Sequence, residues 1–256
     1  MHVKNAKKII WPGITLVVLM ALWEFFVRIT ETPLYILPAP SKIFSTLLDE
    51  APILWGHSLI TLEETFLGLG IAIVLSFVLS ILMDHFEGFK LAAYPILVVS
   101  QTIPVIVLAP IFIIYMGFGI GPKILTVVLM CFFPIAVSLT DGMAQANTDQ
   151  INLVRSFGAN PFQVYTFVKL PSAMSSLFSG LKVAATYSIT GAVVGEWLSS
   201  NSGLGYYMIR VKNGFMLDKV FACILVIIIL SLFMNGIVKV LSLLFLPHEK
   251  RERRES

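Results

Sequence analysis

Six long stretches of the sequence are almost free of charged residues, and this pattern limits the possible folds more than any other feature. A helix that crosses the roughly 30 Å hydrocarbon core of a bilayer needs about 20 mostly apolar residues. Hydrophobic residues make up 57% of the chain and charged residues only 13%, so its apolar surface requires lipid as a solvent. The sequence predicts an all-α polytopic membrane protein with about six transmembrane helices, near residues 9–29, 59–83, 91–115, 124–139, 173–198 and 220–246.

Lysine and arginine are distributed unevenly between the two sets of loops. The loops on the side of the N-terminus carry ten of them, and the loops on the opposite side carry six. Because cytoplasmic loops are enriched in basic residues, both termini are predicted to be cytoplasmic. This divides the chain into a short N-terminal segment (1–8), a transmembrane domain (9–246) and a basic tail (247–256). The net charge of +3 gathers at the two ends, which indicates orientation in a lipid bilayer and no nucleic-acid partner.

The sequence offers no pattern for catalysis or metal binding. Cys131 and Cys223 each lie in an apolar run without a second cysteine or histidine at ligand spacing, so both are interpreted as small buried hydrophobic residues. No span carries paired carboxylates, a His-rich set or a Ser/His pair at catalytic spacing. We therefore predict neither a catalytic residue nor a metal site, which disfavours an intramembrane enzyme.

One long polar connection, residues 141–172, separates the fourth and fifth predicted spans, and the orientation assigns it to the cytoplasm. A short helix ended by Gly158 can present Leu153, Val154 and Phe157 as an apolar knob, with Arg155 at its rim. Pro171 is predicted to begin the fifth span, where its missing N–H group costs little. A loop of this length and composition indicates a binding surface for a partner.

The same loop resembles the cytoplasmic signature of binding-protein-dependent ABC importer permeases. That signature reads Glu-Ala-Ala, three residues, Gly, nine residues, an aliphatic residue, one residue, then Leu-Pro. Gly158, Val168, Leu170 and Pro171 match it, whereas Asn152, Leu153 and Val154 replace Glu-Ala-Ala. The resemblance implies an ATPase-coupling loop formed by Asn152, Leu153, Val154, Arg155, Phe157, Gly158, Ala159, Leu170 and Pro171.

Further segments look like the nitrate, sulfonate and taurine importer branch of these permeases, which also includes permeases for thiamine-precursor pyrimidines and riboflavin. They are residues 37–42, 100–104, 108–110, 195–196 and 202–206. The resemblance implies a type I ABC importer permease fold in the bacterial cytoplasmic membrane. It also implies a second permease copy, two copies of an ABC ATPase and an extracytoplasmic substrate-binding protein. The sequence contains no Gly-x-x-x-x-Gly-Lys-Ser/Thr loop, so ATP and Mg are expected on the partner ATPase and no cofactor on this chain.

Four residues are candidates for the translocation pathway. Pro104 interrupts the hydrogen-bond ladder of the third span, so Gln101, Thr102 and the backbone near Pro104 are available to contact a substrate. Glu196 is an ionisable residue at the end of an apolar span, and such residues are candidates for a functional role. The alternative is a packing kink at Pro104 and a structural pairing of Glu196.

Two questions stay open at the level of sequence. A secondary, ion-coupled transporter is the main alternative function, although such proteins often carry internal repeats and this chain shows no clear one. The cargo is a small polar solute, either a vitamin precursor such as a thiamine-precursor pyrimidine or an anion of the sulfonate or nitrate type. The segments 195–197 and 202–206 point slightly to the vitamin-precursor side.

Overall fold

The computed structural model describes the backbone of residues 2–246, and the side chains of residues 10–198 and 200–246. The regular secondary structure of these residues is helical, which confirms the predicted all-α class. Its helices are α1 His2–Ile29, α2 Pro40–Asp49, α3 Ala51–His85, α4 Glu87–Ser100, α5 Val105–Met116, α6 Ile120–Ala144, α7 Thr148–Ser156, α8 Pro161–Val164, α9 Leu170–Ser199, α10 Leu204–Asn213 and α11 Leu217–Phe245. The predicted basic tail, 247–256, and the side chains of the N-terminal segment lie outside the described residues.

Among the described residues, five stretches of helix are long and apolar enough to cross a membrane, and a sixth span is reached if α4 and α5 count as one. The third predicted span, 91–115, is not continuous. Its two halves are bent by 102° at residues 101–104. Pro104 has no N–H group to donate to the preceding turn, and it favours extended backbone at the residue before it. The ladder therefore ends after Ser100 and restarts at Val105.

Helices α6 and α9 form an antiparallel pair at the centre of the fold, and α3 packs against both. Small residues permit this close approach. A Cβ atom on Gly180 would lie 2.6 Å from the carbonyl oxygen of Pro134, and one on Gly191 would lie 3.0 Å from Val127 Cα. Hydroxyl groups add interhelical bonds, since Ser76 Oγ donates to the Phe132 carbonyl at 3.0 Å. Packing of small residues is the expected source of helix association in lipid.

Helix α1 stands at the edge of this core. Of its described side chains only Val27 is buried, and the others expose apolar surface of the kind that lipid covers. It contacts α2, where Ser41 donates from its backbone N–H and its hydroxyl to the Glu24 carboxylate, at 3.0 and 2.7 Å. It also contacts α11, where the ring centroids of Trp23 and Phe221 lie 5.6 Å apart. Helix α2 lies between the first two predicted spans, 9–29 and 59–83, and was not predicted.

The connection between α6 and α9 contains more helix than predicted. Helix α6 continues for five residues beyond 139, the predicted end of the fourth span, and ends at Ala144. After the short helix α7, the next helix begins at Pro161. Pro171 does not begin the fifth span, because α8, a π-helical turn at Tyr165–Lys169 and α9 follow one another without a break. The wider π turn immediately precedes Leu170 and Pro171, where an α-helical ladder would lose a donor.

The two ends of α9 define two ends of the molecule. Its 30 residues span about 45 Å at 1.5 Å per residue. Helices α7 and α8 precede it and mark what we call the α7 end, whereas α10 follows it and marks the α10 end.

Candidate functional site

Helix α7 is a short helix held at both ends by its own sequence. At its start, Asn147 Oδ1 accepts a hydrogen bond from the Asp149 N–H group at 2.8 Å, which is a standard N-cap. After its last turn, Gly158 has φ of +83°, a left-handed conformation that glycine adopts without strain. The predicted helix ending at Gly158 is therefore present, with α7 at Thr148–Ser156 and Phe157 as its C-cap.

The surface of α7 is open. None of its residues is buried, and Leu153 and Phe157 are 57% and 83% exposed. Phe162 at the start of α8 adds another exposed ring, while Asn152 and Arg155 flank this apolar surface. Val154, predicted as part of the apolar knob, is half-buried, so from here on the apolar knob means Leu153, Phe157 and Phe162. Large apolar side chains gathered on a polar segment indicate a surface that a partner covers.

The segment behind the knob is fixed to the transmembrane core. Asp84, at the end of α3, accepts hydrogen bonds from Tyr165 Oη and Lys169 Nζ, both at 2.5 Å, and Lys169 also forms an ion pair with it. Leu170 packs on the core, whereas Val154 and Ala159 are half-buried and Pro171 is exposed. The π turn that precedes α9 is therefore bound to the end of α3.

The break between α4 and α5 borders a pocket of about 440 Å³. Gln101 and Pro104, both predicted as pathway residues, lie in its wall. Thr102 lies in the same turn, and its hydroxyl donates to the Val99 carbonyl at 2.7 Å. The other described residues of the wall come from α4, the break, α5, α6 and α9, and none of them is charged: Ser100, Ile103, Val105, Ile106, Leu129, Met130, Phe133, Pro134, Tyr187 and Val194.

Glu196 does not border this pocket. It is 1% exposed and lies in the protein interior at the α10 end. Its carboxylate accepts from Thr61 Oγ1 at 2.6 Å and from the Gly205 N–H group at 2.5 Å. A pathway role for Glu196 stays a prediction, and these contacts favour the structural alternative instead.

Three consecutive backbone N–H groups at the start of α10 are bound by side chains from other helices. Gly203 N donates to His57 Nδ1 at 3.0 Å, Leu204 N to Thr61 Oγ1 at 3.0 Å, and Gly205 N to Glu196. Such N–H groups have no partner within their own helix, and a carboxylate beside them complements the helix dipole. Helices α3 and α9 together therefore cap α10 and hold it in place.

A buried ion pair lies beside this cap. Lys123, at the start of α6, pairs with Glu64 of α3 and donates to Ser200 Oγ at 3.2 Å. Both charged side chains are more than nine-tenths buried. Lys123 is one of the six basic loop residues assigned from the sequence to the side opposite the N-terminus, because the predicted fourth span begins one residue after it. The sequence shows Glu64 and Lys123 as charged residues inside or next to apolar runs. It does not show that they pair, because 59 positions separate them.

The described residues hold no group of three or more His, Cys, Asp or Glu side chains that could bind a metal ion. Cys131 and Cys223 are free thiols, and both are fully buried, as predicted for small hydrophobic residues.

Comparisons with known proteins agree on one class. A family model described as "Binding-protein-dependent transport system inner membrane component" matches residues 68–244. A formylaminopyrimidine transport permease protein, ThiX, from Halalkalibacterium halodurans is 36% identical over 97% of this chain and 100% of its own length. A riboflavin transport system permease protein, RibX, from Chloroflexus aurantiacus is 29% identical over 83% of this chain and 81% of its own.

Two solved structures share the fold. An amino acid ABC transporter covers 79% of this chain and 96% of its own chain, with a TM-score of 0.60 and 17% identity. The MetNI methionine ABC transporter in an inward-facing conformation covers 70% and 92%, with a TM-score of 0.58 and 18% identity. At these identities the likeness concerns the fold, which is that of type I ABC importer permeases.

Proposed function

This chain belongs to the family of binding-protein-dependent transport system inner membrane components, and on that premise we propose how it is coupled to ATP and what it carries. It is the permease subunit of an ABC importer and has no catalytic role, since ATP is hydrolysed by a partner ATPase. We propose that it forms the translocation pathway together with a second copy of itself. An extracytoplasmic binding protein delivers the substrate, and two ATPase subunits supply the energy.

The coupling proposal rests on one observation, the exposed apolar knob on a short helix that the chain itself holds in shape. Leu153 and Phe157 lie on a capped helix that buries none of its residues against this protomer. A helix that presents an apolar face to a groove is a recurrent mode of recognition. In the proposal the knob sits in a groove on the ATPase, and closure of the ATPase pair moves it.

The path of this movement runs through the contacts behind the knob. Asp84 ties the π turn to the end of α3, and α9 continues directly from the same turn. Displacement of α7 would therefore tilt α3 and α9 together, and these helices form the centre of the fold with α6. Alternating access by rocking of helical bundles follows from such a linkage.

The proposed cargo is a vitamin precursor of the pyrimidine type. The support comes from ThiX, whose name states formylaminopyrimidine transport, because the two chains match over nearly their full lengths. We further propose that both termini and α7 lie in the cytoplasm of the cell, as the distribution of basic residues indicates. The α10 end then faces the binding protein.

The coupling proposal is tested by co-purification of the ATPase with the tagged permease from detergent-solubilised membranes. Phe157→Asp places a charge on the apolar knob without disturbing the protein interior, since Phe157 is 83% exposed. Phe118→Asp is the matched control, because Phe118 is 82% exposed in the turn between α5 and α6, outside the knob.

The expected result is an ATPase that co-purifies with the wild-type protein and with Phe118→Asp, and is lost with Phe157→Asp. An equal yield of ATPase with all three proteins would show that α7 is not the coupling element.

A further inference from the structure

The pocket at the α4–α5 break has a chemical character that selects among cargo classes. Its volume of about 440 Å³ falls within the range of roughly 300–1,000 Å³ usual for small-molecule sites. No lysine, arginine, histidine, aspartate or glutamate lies in its wall. A fully charged anion would find no counter-charge among these side chains, and burying it there would be costly.

The wall nevertheless offers polar backbone groups, because Pro104 lies at the break before α5 and two further prolines lie inside α5 and α6. Pro134 cannot donate to the carbonyl of Met130, and Pro110 cannot donate to that of Ile106, so two wall residues have carbonyl groups without their helical partners. The first N–H groups of α5, on Val105 and Ile106, also lack helical partners. The pocket thus combines backbone donors and acceptors in an uncharged site.

Three side chains complete this set. Gln101 offers an amide that both donates and accepts, Tyr187 offers a hydroxyl and an aromatic ring, and Phe133 offers a second ring. Flat aromatic walls with mixed hydrogen-bonding groups suit a heterocycle that carries both ring nitrogens and exocyclic amino groups. A sulfonate has only acceptor oxygens, so it could use the donors of this site but would leave the free carbonyl groups without a partner.

We infer that the pocket at the α4–α5 break is a transit site for a neutral aminopyrimidine-type heterocycle, with Gln101 and Tyr187 binding its polar edge. The inference rests on the proposed function, since it deepens the cargo assignment. It adds the place where the cargo binds, the requirement that the cargo be neutral, and two residues that determine specificity. Discontinuous transmembrane helices commonly form such sites, because unpaired backbone groups are tolerated where they line a cavity.

The test measures initial uptake of radiolabelled formylaminopyrimidine in cells whose own copy of the gene is replaced by each variant. Gln101→Ala and Tyr187→Phe each remove one hydrogen-bonding group, and Gln101→Glu adds a charge to the uncharged wall. Tyr115→Phe is the matched control for Tyr187→Phe, because Tyr115 is 84% exposed at the end of α5 and outside the pocket. The amount of assembled complex in the membrane is measured for each variant, so that uptake is expressed per complex.

The inference predicts that Gln101→Ala and Tyr187→Phe each lower uptake per complex by about three- to tenfold, the usual effect of one lost hydrogen bond. Gln101→Glu should lower it further, and Tyr115→Phe should leave it unchanged. Unchanged uptake in Tyr187→Phe and both Gln101 variants would overturn the pocket assignment while leaving the cargo proposal intact. Absence of formylaminopyrimidine uptake in the wild type, with uptake of ethanesulfonate instead, would overturn both.

Discussion

At the scale of single residues, the ionisable side chains buried at the α10 end are the ones whose burial costs the most free energy. Glu64 and Lys123 form an ion pair, and Glu196 binds Thr61 and the start of α10. Glu64 Oε2 is also buried, without a hydrogen-bond partner among the described residues. Buried ionisable groups are tolerated when they are paired or hydrogen-bonded, so this part of the core depends on each partner being present.

Lys123→Met removes the partner of a buried carboxylate and should destabilise the protein by about 3–5 kcal/mol. Addition of Glu64→Gln removes the uncompensated charge, so the double variant should recover much of this loss. Thermal unfolding in detergent measures both. A single variant as stable as the double variant would show that the ion pair does not support the fold.

Gly203 is constrained in two ways, by its φ of +100° and by the Glu196 carboxylate, which a Cβ atom at this position would overlap. Gly203→Ala should therefore detach α10 from its cap and lower the unfolding temperature. Gly236→Ala is the matched control, since no atom lies within 4 Å of its Cβ position in α11, and alanine favours a helix by about 1 kcal/mol. Equal unfolding temperatures for the two variants would contradict the cap.

Sequence analysis found Glu196 but not its partners. An acidic residue at the end of an apolar span is conspicuous, whereas His57 and Thr61 are ordinary polar residues in another span. Thr61 is 135 positions away from Glu196, and only the packing of α3 against α9 brings the two together. Residues in such a cap carry no local pattern, so single-sequence reasoning cannot connect them.

At the scale of helices, apolar runs predicted the positions of the spans but not their interruptions or the short helices between them. The run 91–115 is uniformly apolar, and a proline in such a run is compatible with a mild kink as well as with the observed bend of 102°. Helices α2 and α10 have 10 residues each and lie outside the apolar runs, so hydropathy does not reveal them. The helix ending at Gly158 was predictable, because glycine at a fixed spacing is a local signal.

Helices α2, α10 and α11 meet at Glu50, whose carboxylate accepts from Lys219 Nζ at 2.5 Å and Tyr207 Oη at 3.0 Å. The hydrogen bond from Lys219 is the main cause that lowers the pKa of Glu50 below its usual 4.5, and the bond from Tyr207 adds to it. A carboxyl whose pKa is lower in the folded state stabilises the fold above its unfolded pKa. That contribution is lost as the pH falls through the folded pKa.

The wild type should therefore be more stable than Glu50→Gln at neutral pH, and the difference should shrink as the pH falls below 4.5. Thermal unfolding of both proteins across this pH range measures it. A difference that does not depend on pH would mean that the Glu50 charge does not link these helices.

At the scale of the whole molecule, the proposed orientation places the apolar knob and both termini in the cytoplasm. It depends on the asymmetry of basic residues, to which Lys123 no longer contributes because it is buried. When Lys123 is left out of the count for the opposite side, the excess of basic residues on the side of the N-terminus becomes larger. The α7 end would then face the ATPase, and the α10 end would face the binding protein.

Cysteine labelling tests this orientation, because Cys131 and Cys223 are fully buried and should give little background. A membrane-impermeant maleimide should label Phe118→Cys in intact cells and Phe157→Cys only after the membrane is opened. The reverse pattern would invert the topology and place the knob outside the cell.

The central claim, ATP-driven import through this permease, is tested most directly in proteoliposomes that contain the permease, its ATPase and the binding protein. With ATP on the ATPase side and all ion gradients collapsed by ionophores, labelled formylaminopyrimidine should accumulate, and the accumulation should stop when ATP is omitted. Uptake that persists without ATP and disappears with the ion gradients would contradict the claim and identify an ion-coupled transporter.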